Sequence, residues 1–340
     1  MLYCHVVLII DFEVKLLVAQ GRFLIQKRRN SENPRKNGKN IMEIKQAMLE
    51  AVIASMAVVR QNQGGQDEVE VKRNKTLLTA TDKGSEMSGL KKLFASLPRK
   101  IGVEAEERGK VRVGTGKVLF DPLDGTKPFV IGALSSTVIA AFYDEAKKQV
   151  TACIVGEPVS GRVWVAEADK PTVRMNYDFE ERKFLGPIQN YEFQDSTICE
   201  VSPVNPVGSG ATVFLDLYPG FTRKDAKVLS NDEGAKLFSA LFGRFGISML
   251  GSNGLHHALV ANGAEGVAGA ITTAIGGPWD VAPVLLVLQA GGAARAFSIE
   301  PSGNFKEQDP LDVFSYHFLV TGNSQETVDE LSRVLLSVRD

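Results

Sequence analysis

An apolar run, Val118-Leu119-Phe120, ends abruptly in Asp121-Pro122-Leu123-Asp124-Gly125-Thr126. The run reads as a buried strand, and the break after it sets two carboxylates at the strand's C-terminal tip. Open α/β sheets usually place their ligands at such tips. Far downstream, Gly277-Pro278-Trp279-Asp280 again sets an acid beside turn formers. Three carboxylates and a hydroxyl suit a hard divalent cation such as Mg2+, which takes oxygen ligands and is held by a few carboxylates plus substrate phosphate. Asp121 and Asp124 are close in sequence, with Pro122 stiffening the chain between them. Two carboxylates held so near repel unless a cation or a proton sits between them. Gly125 lets backbone N–H groups approach an anion, and a helix starting there would favour phosphate. Taken alone, an ordinary strand-to-helix turn capped by Asp explains the same residues.

The 340 residues suffice for one large or two ordinary domains. With 44% hydrophobic and 23% charged residues the chain has the balance of a globular protein. A formal net charge of -1 gives no global field toward a nucleic-acid polymer or an anionic membrane. Cys4, Cys153 and Cys199 are odd in number and widely separated. That argues against a disulfide framework or a Cys-rich zinc site and points to a reducing cytoplasm. No apolar run reaches the roughly 20 residues of a membrane helix. Val6 to Ile10 is apolar, but no basic region precedes it and no small-residue cleavage site follows, so a signal peptide fits poorly. Residues 26–40 are polar, basic and rich in breakers, which predicts a mobile linker; without interleaved aromatics they make a weak nucleic-acid binder. Residues 1–41 thus read as an N-terminal extension ahead of a clean helical pattern from Met42.

That pattern, Ile44, Ala47, Met48, Ala51, Val52 and Ser55, predicts an amphipathic helix over 42–62, stopped by Gly64-Gly65. A second helix follows Thr79-Ala80-Thr81-Asp82, with Met87, Leu90, Leu93, Phe94 and Leu97 on one face and Pro98 as the stop. Strands are expected at 111–113, 118–120, 136–143, 150–155 and 162–166, some joined as hairpins. Residues 168–210 read as polar loop with a soft domain boundary, separating a metal-binding half, 42–200, from an α/β half, 201–340, that completes the site. In the second half, strands are expected at 211–217, 247–250, 294–297 and 317–320, and helices at 232–242, 254–261, 279–290 and 325–338.

Asp-Pro-Leu-Asp-Gly-Thr at 121–126, preceded by Glu106-Glu107 and followed by Trp279-Asp280, resembles the inositol monophosphatase superfamily. Thr79-Ala80-Thr81-Asp82, Phe129, Gly251 with the helix at 254–262, Gly263-Ala264-Glu265 and Ala290-Gly291-Gly292 extend the resemblance in order over about 42–340. It implies a layered α-β-α-β-α phosphatase sandwich of the inositol monophosphatase and fructose bisphosphatase type. It further implies Mg2+-dependent, lithium-sensitive hydrolysis of a small phosphate monoester, with two or three Mg2+ ions. Glu106, Asp121, Asp124 and Asp280 would ligate metal through side chains and Leu123 through its carbonyl. Thr126, with Asp82 or Glu106, would orient the attacking water. Gly125 and Thr126 amides would hold the phosphate, and Asp280 would lie beside the leaving oxygen. The family's relatives are commonly dimers, so a homodimer is allowed. A regulatory, non-catalytic relative is disfavoured by the intact set Asp82, Glu106, Asp121, Asp124, Thr126 and Asp280.

Lys127-Pro128-Phe129 departs from the Asn-containing loop of relatives acting on inositol monophosphate. It is closer to the 3'(2'),5'-bisphosphate nucleotidase and histidinol phosphatase branches, which stay open with fructose-1,6-bisphosphatase. Lys127 is a candidate phosphate contact or a solvated loop lysine; Glu107 is an outer acid or a surface one. The stretch from Glu265 to Trp279 is longer than the family pattern, and no acid that would bind sugar hydroxyls is evident there. Val113-Gly114-Thr115-Gly116-Lys117 lacks the spacing and Ser/Thr of a nucleotide loop. The adjacent His256 and His257 point different ways on a helix, so one is expected packed and the other nearer the surface. Trp164 is expected in the core.

Overall fold

The computed structural model describes residues 34–65, 68–72, 76–185, 188–189, 192–193, 197–202, 210–217, 222–223, 226–227, 229–273 and 275–339. Residues Asn40–Asp340 form one compact unit, and Met1–Lys39 a second of which only 34–39 are described. The first helix, α1, spans Pro34–Asn62. The helix thus takes in 34–40, part of the expected linker, and the rest of that linker lies outside the described residues. Pro at a helix's first position loses no bond it could have made, which is why a breaker-rich stretch can open a helix there.

The hairpin β1 (Val69–Val71) and β2 (Leu77–Thr79) leads into α2 (Ala80–Ser96). Thr79 caps α2, its Oγ1 accepting from Asp82 N at 3.2 Å while Asp82 Oδ2 accepts from Thr79 N at 2.7 Å. The buried face of α2 is Ser85, Glu86, Gly89, Leu90 and Leu93; the expected Met87 and Phe94 are exposed. The helix comes closest to the sheet at Gly89, where a Cβ would lie 2.3 Å from Phe120 Cζ, so no side chain fits at that position.

A nine-stranded sheet follows: β3 (Gly102–Ala105), β4 (Gly109–Arg112), β5 (Lys117–Asp124), β6 (Thr137–Asp144), β7 (Gln149–Gly156), β8 (Arg162–Glu167), β9 (Val173–Asp178), β10 (Lys183–Phe184) and β11 (Thr197–Ile198). Between β5 and β6 lies the short α3 (Thr126–Val130). The order is β10-β9-β8-β7-β6-β5-β3-β4, with β11 on β9. All its pairs are antiparallel except β3 with β5, which is parallel. The expected loop at 168–210 therefore contains sheet-extending strands; β9, Val-Arg-Met-Asn-Tyr-Asp, alternates as a half-buried strand does and was overlooked, while the two-residue β10 and β11 are too short to signal.

The second sheet comprises β12 (Thr212–Asp216), β13 (Gly246–Ser248), β14 (Val267–Thr272), β15 (Ala293–Ile299), β16 (Phe305–Gln308) and β17 (Phe318–Gly322), in the order β13-β12-β14-β17-β15-β16. β12 is parallel to both its neighbours. Helices α4 (Asn231–Phe242), α5 (Asn253–Ala261), α6 (Val284–Gln289) and α7 (Gln325–Leu336) surround it. Buried on both faces and built of small residues, Val267-Ala268-Gly269-Ala270-Ile271-Thr272 shows no alternation, and so β14 was not foreseen. The single helix expected over 279–290 is split. A 3-10 turn, Pro278–Asp280, precedes α6, and Pro283, lacking an N–H, sits at the junction.

Three apolar cores fix the layers. Ile44, Met48 and Val52 of α1 and Leu90 and Leu93 of α2 meet Val118, Phe120, Val138 and Ile154 on one face of the first sheet. The other face, with Leu119, Ile139, Val155 and Trp164, meets Leu255 and Ala258 of α5, Leu285 and Leu286 of α6, and Phe214 and Leu319 of the second sheet. Beyond that sheet, Val213, Ile271 and Val320 pack on Leu237 and Leu241 of α4 and Leu331 and Leu335 of α7. The result is the expected α-β-α-β-α sandwich, with Trp164 fully buried in its middle core. Alternation along β5 sends Val118 and Phe120 one way and Leu119 the other, as a strand between two helix layers requires. Among the described residues no helix is long and apolar enough to cross a membrane.

Candidate functional site

Each sheet contributes a parallel strand pair whose C-terminal tips reach one cleft. In the first sheet the ladder of β3 and β5 continues one step past β3, Glu106 N donating to Phe120 O at 3.0 Å. Glu106 therefore stands beside Asp121. Pairing of β5 with β6 slips between Asp121 and Asp124, where Pro122 cannot donate. The slack is taken up locally, with Leu123 N donating to Asp121 Oδ1 at 2.9 Å.

Asp124 is the most heavily bonded of the acids. Its Oδ2 accepts from Ser252 Oγ at 2.6 Å, Thr137 Oγ1 at 2.7 Å and Gly254 N at 2.7 Å, and its Oδ1 from Asn253 N at 3.2 Å. The carboxylate thus seals the N-terminus of α5, where free amides and the helix dipole favour a negative charge. Gly254 is what admits it, since a Cβ there would lie 2.9 Å from Asp124 Oδ2 and 2.5 Å from Thr137 Oγ1. Gly125 follows in the left-handed region at φ +89°, which turns the chain sharply into α3.

From the second half, Asp280 closes the 3-10 turn, its Oδ2 accepting from Gly276 N at 2.5 Å and Gly277 N at 2.9 Å. Carboxylate oxygens of Asp121, Asp124 and Asp280 lie within 4.8 Å of one another. Burial pushes the Asp121 carboxyl well above its ordinary value, and the charges of Glu106, Asp124 and Asp280 add to the push. Asp280 is raised for the same reasons, burial first and then Asp124. In Asp124 burial also wins, against the donors from Ser252, Thr137, Gly254 and Asn253. Three desolvated, mutually repelling carboxylates brought this close could hold a hard divalent cation.

Beside this triangle, Thr126 Oγ1 donates to Asp82 Oδ1 at 3.0 Å and also lies 3.3 Å from Leu123 O. Asp82 Oδ2 is occupied by the Thr79 amide and by Thr79 Oγ1 at 2.6 Å. Burial raises the Asp82 carboxyl in spite of these bonds. Lys72 Nζ reaches Glu106 Oε1 at 3.1 Å and Glu107 Oε1 at 2.6 Å. Burial works against the ammonium, but the attraction of Glu106 and the bond to Glu107 hold Lys72 above its usual range. Glu106 itself is raised by burial, with Lys72 opposing. Glu107 is pushed up to about 7 by burial and by the charge of Glu106.

The cleft has a volume of about 480 Å3. Of the residues read from the sequence, Glu106, Asp121, Leu123, Asp124, Gly125, Thr126, Lys127 and Asp280 line it, Lys127 at an exposed position. Asp82 sits behind Thr126, and Glu107 is tied to Lys72. A larger hollow of about 1130 Å3 lies by α1 and β9–β10 and shares no lining residue with the cleft. Two partners escaped sequence reasoning. Lys72 carries no motif. Asp216 ends the apolar strand β12 as Asp121 interrupts β5, so the same strand-tip logic would have found it. The histidines are corrected: both are fully buried. His256 stacks on Phe214 at 5.1 Å and takes a bond from Leu250 N, while His257 Nδ1 lies 3.1 Å from Thr321 Oγ1. Helix α5 lies between two sheets, so it has no solvent face for either, and burial lowers both rings to about 3.

A five-layer sandwich whose strand tips converge on clustered carboxylates is the architecture of a phosphatase superfamily, and the comparisons give it a family. The profile of the Inositol monophosphatase family matches residues 40–331. The chain belongs to that family. No curated protein matches the chain. Among solved structures it is similar to the extragenic suppressor protein SuhB of Bartonella henselae, at 19% identity over 86% of this chain and 98% of that one, with a TM-score of 0.66. It is similar also to the IMPase of Thermotoga maritima, at 21% identity over 90% and 98% of the two chains and a TM-score of 0.63. The inositol monophosphatase of Anabaena (Nostoc) sp. PCC 7120 gives 20%, 89%, 97% and 0.62 in the same order. At such identities these likenesses establish the fold.

Proposed function

We propose that the chain is a Mg2+-dependent phosphatase that hydrolyses a small phosphate monoester, with inositol monophosphate as the leading substrate. The observation that carries this reading is the triangle of Asp121, Asp124 and Asp280 oxygens, all within 4.8 Å, at the bottom of a cleft of ligand size. Asp121, Asp124 and Asp280 would hold the ion, with Glu106 and the Leu123 carbonyl beside them. Bound Mg2+ supplies charge neutralisation at the phosphoryl oxygens and acidifies water.

The side chains around it do the positioning. Thr126 Oγ1 has one proton, and both acceptors within its reach, Asp82 Oδ1 at 3.0 Å and Leu123 O at 3.3 Å, belong to the protein. The hydroxyl is left with lone pairs only, so toward a water it acts as an acceptor. Asp82 is itself fixed by Thr79 at its other oxygen, which removes the rotation that would let Thr126 turn. A water held by Thr126 therefore presents its oxygen, not its hydrogens, toward the phosphorus, and loses a proton along the Thr126–Asp82 line. Gly125, Thr126 and Lys127 line the side where the phosphate would sit. Lys72 holds Glu106 and Glu107 as a cationic strut at the edge of the site.

The test is phosphate release from inositol phosphate, adenosine bisphosphate, histidinol phosphate and fructose bisphosphate, with Mg2+ and with EDTA. Turnover that requires Mg2+ on at least one ester is expected. Equal release in EDTA, or none on any ester, refutes the reading.

A further inference from the structure

We infer that Ser85 is a positioning residue for the ion: acting through the peptide that joins Pro122 to Leu123, its hydroxyl fixes the direction in which the Asp121 carboxylate faces the cleft. The inference rests on the metal reading above and reaches past the residues that line the cleft, of which Ser85 is not one.

The need for such a residue comes from the slip in β5. Its ladder with β6 pairs Asp121 with Ile139 and next Asp124 with Thr137, so Pro122 and Leu123 stand against the single residue Val138. A bulge of this kind leaves main-chain groups without their ladder partners. Pro122 has no N–H to lose, but it keeps a carbonyl, and in a buried residue a carbonyl needs a donor. Ser85, fully buried on α2, supplies one: its Oγ donates to Pro122 O at 2.7 Å. The other acceptor within reach, Ser55 O, lies at 3.4 Å, so the proton favours Pro122.

The carbonyl of Pro122 and the N–H of Leu123 belong to one planar peptide unit, and that N–H donates to Asp121 Oδ1 at 2.9 Å. The hydroxyl and the carboxylate therefore hold opposite ends of one rigid plate, and turning the plate breaks both bonds. Hydrogen bonds in series also polarise one another, so the donor at the carbonyl strengthens the bond at the carboxylate. Ser85 is itself anchored. Ser55 Oγ of α1 donates to the Ser85 carbonyl at 2.8 Å, and Ser88 Oγ donates back to Ala54 O at 3.3 Å. Three residues before Ser85, on the same face of α2, Asp82 accepts from Thr126 Oγ1 at 3.0 Å. The helix thus grips the acid loop at Pro122 and at Thr126, on either side of Asp124.

The experiment titrates Mg2+ into the full chain and into its Ser85→Ala, Ser85→Thr and Ser55→Ala variants, by calorimetry and by the fluorescence of Trp279, which lines the cleft. Each protein is also melted in EDTA. Ser85→Ala should weaken Mg2+ binding about tenfold, the lower end of what is lost when a partner that orients a ligand is removed. Ser55→Ala removes a buried serine bond between the same two helices without touching the peptide. It should lower the melting temperature and leave the Mg2+ midpoint within about twofold of the unaltered chain's. Ser85→Thr keeps a donor on the same carbon and should stay within about threefold. A Ser85→Ala midpoint within about twofold of the unaltered chain's overturns the inference while leaving the metal reading standing. So does an equal loss in Ser55→Ala, which would make helix packing the cause, or a Thr variant that melts with the unaltered chain yet binds Mg2+ as weakly as the Ala variant. No Mg2+ binding by the unaltered chain removes the metal reading and the inference together.

Discussion

Asp121→Asn should make the metal-free protein more stable and the metal-bound protein less so. The oxygens of Asp121, Asp124 and Asp280 lie within 4.8 Å. At that separation two ionised groups repel by roughly 3 kcal/mol with an effective dielectric of about 20. Asp121 takes part in two of the three pairs. Part of the repulsion is already relieved by proton uptake, as the raised Asp121 carboxyl indicates. The gain on neutralising Asp121 is therefore a fraction of the two-pair sum, about 2 kcal/mol. Packing should be conserved, because Asn has nearly the same volume and its Oδ1 can still accept from Leu123 N. For a chain of this size about 2 kcal/mol corresponds to a rise of about 3 °C in melting temperature. With Mg2+ the order should invert. The unaltered protein gains about 2.7 kcal/mol at an ion concentration one hundred times its Kd, a gain the variant largely forgoes. Thermal melts in EDTA and across a Mg2+ titration, at pH 7 and constant ionic strength, read both effects. A variant that melts lower than the parent in EDTA, or that shows the same Mg2+ shift, would refute the metal-site reasoning.

Thr126→Val removes the hydroxyl that bonds Asp82, and kcat should fall by about 10² to 10⁴ with little change in the Mg2+ midpoint; loss of Mg2+ affinity with kcat retained would instead place Thr126 with the ion. LiCl should inhibit phosphate release relative to KCl at matched ionic strength, and equal rates in the two salts would count against lithium sensitivity. Gly254→Ala brings a Cβ to 2.5 Å from Thr137 Oγ1 and 2.9 Å from Asp124 Oδ2, so it should cost about 1 to 3 kcal/mol and weaken Mg2+ binding; an unaltered melt and titration would refute the close packing. Glu107 is raised from 4.5 to about 7 in the fold, so its contribution to stability is complete below about pH 4.5 and lost as pH rises through about 7. Glu107→Gln should therefore make the fall in metal-free melting temperature across that window shallower, and an unchanged slope would falsify the assignment.

Most elements were legible because they carry periodic patterns, Ile44 to Val52 at helical spacing and Val118 to Phe120 as a short apolar run before an acid, while their five-layer arrangement was expected from the family resemblance. Most of the strands that escaped lacked such contrast. In β14 both faces are buried and the residues are small, and β11 has only two residues; β9 does alternate, Val173, Met175 and Tyr177 against Arg174, Asn176 and Asp178, and its signal was overlooked among the prolines around it. The acids of the cleft were visible because they sit in turns with Gly and Pro. Asp216 sits in no such turn, and Lys72 reaches Glu106 through tertiary placement alone. The histidines were misread because the solvent face of α5, assumed from helical geometry, is taken up by a second sheet that no local pattern announces.

The middle helix layer has a metrological role. Asp121 and Asp124 belong to the first sheet, while Asp280 is carried by the segment that leads into α6, and α5 and α6 fill the gap between the sheets. The thickness of that layer is thus the gauge that sets how far apart the two sets of oxygens stand. A volume change at Leu285 or Ala258, both fully buried in this layer, would be transmitted to the acids as a change in spacing. Ion coordination tolerates a few tenths of an ångström, whereas a core can relax by more than that at modest cost. Substitutions in this layer should therefore be felt as lost metal affinity at sizes too small to be felt as lost stability.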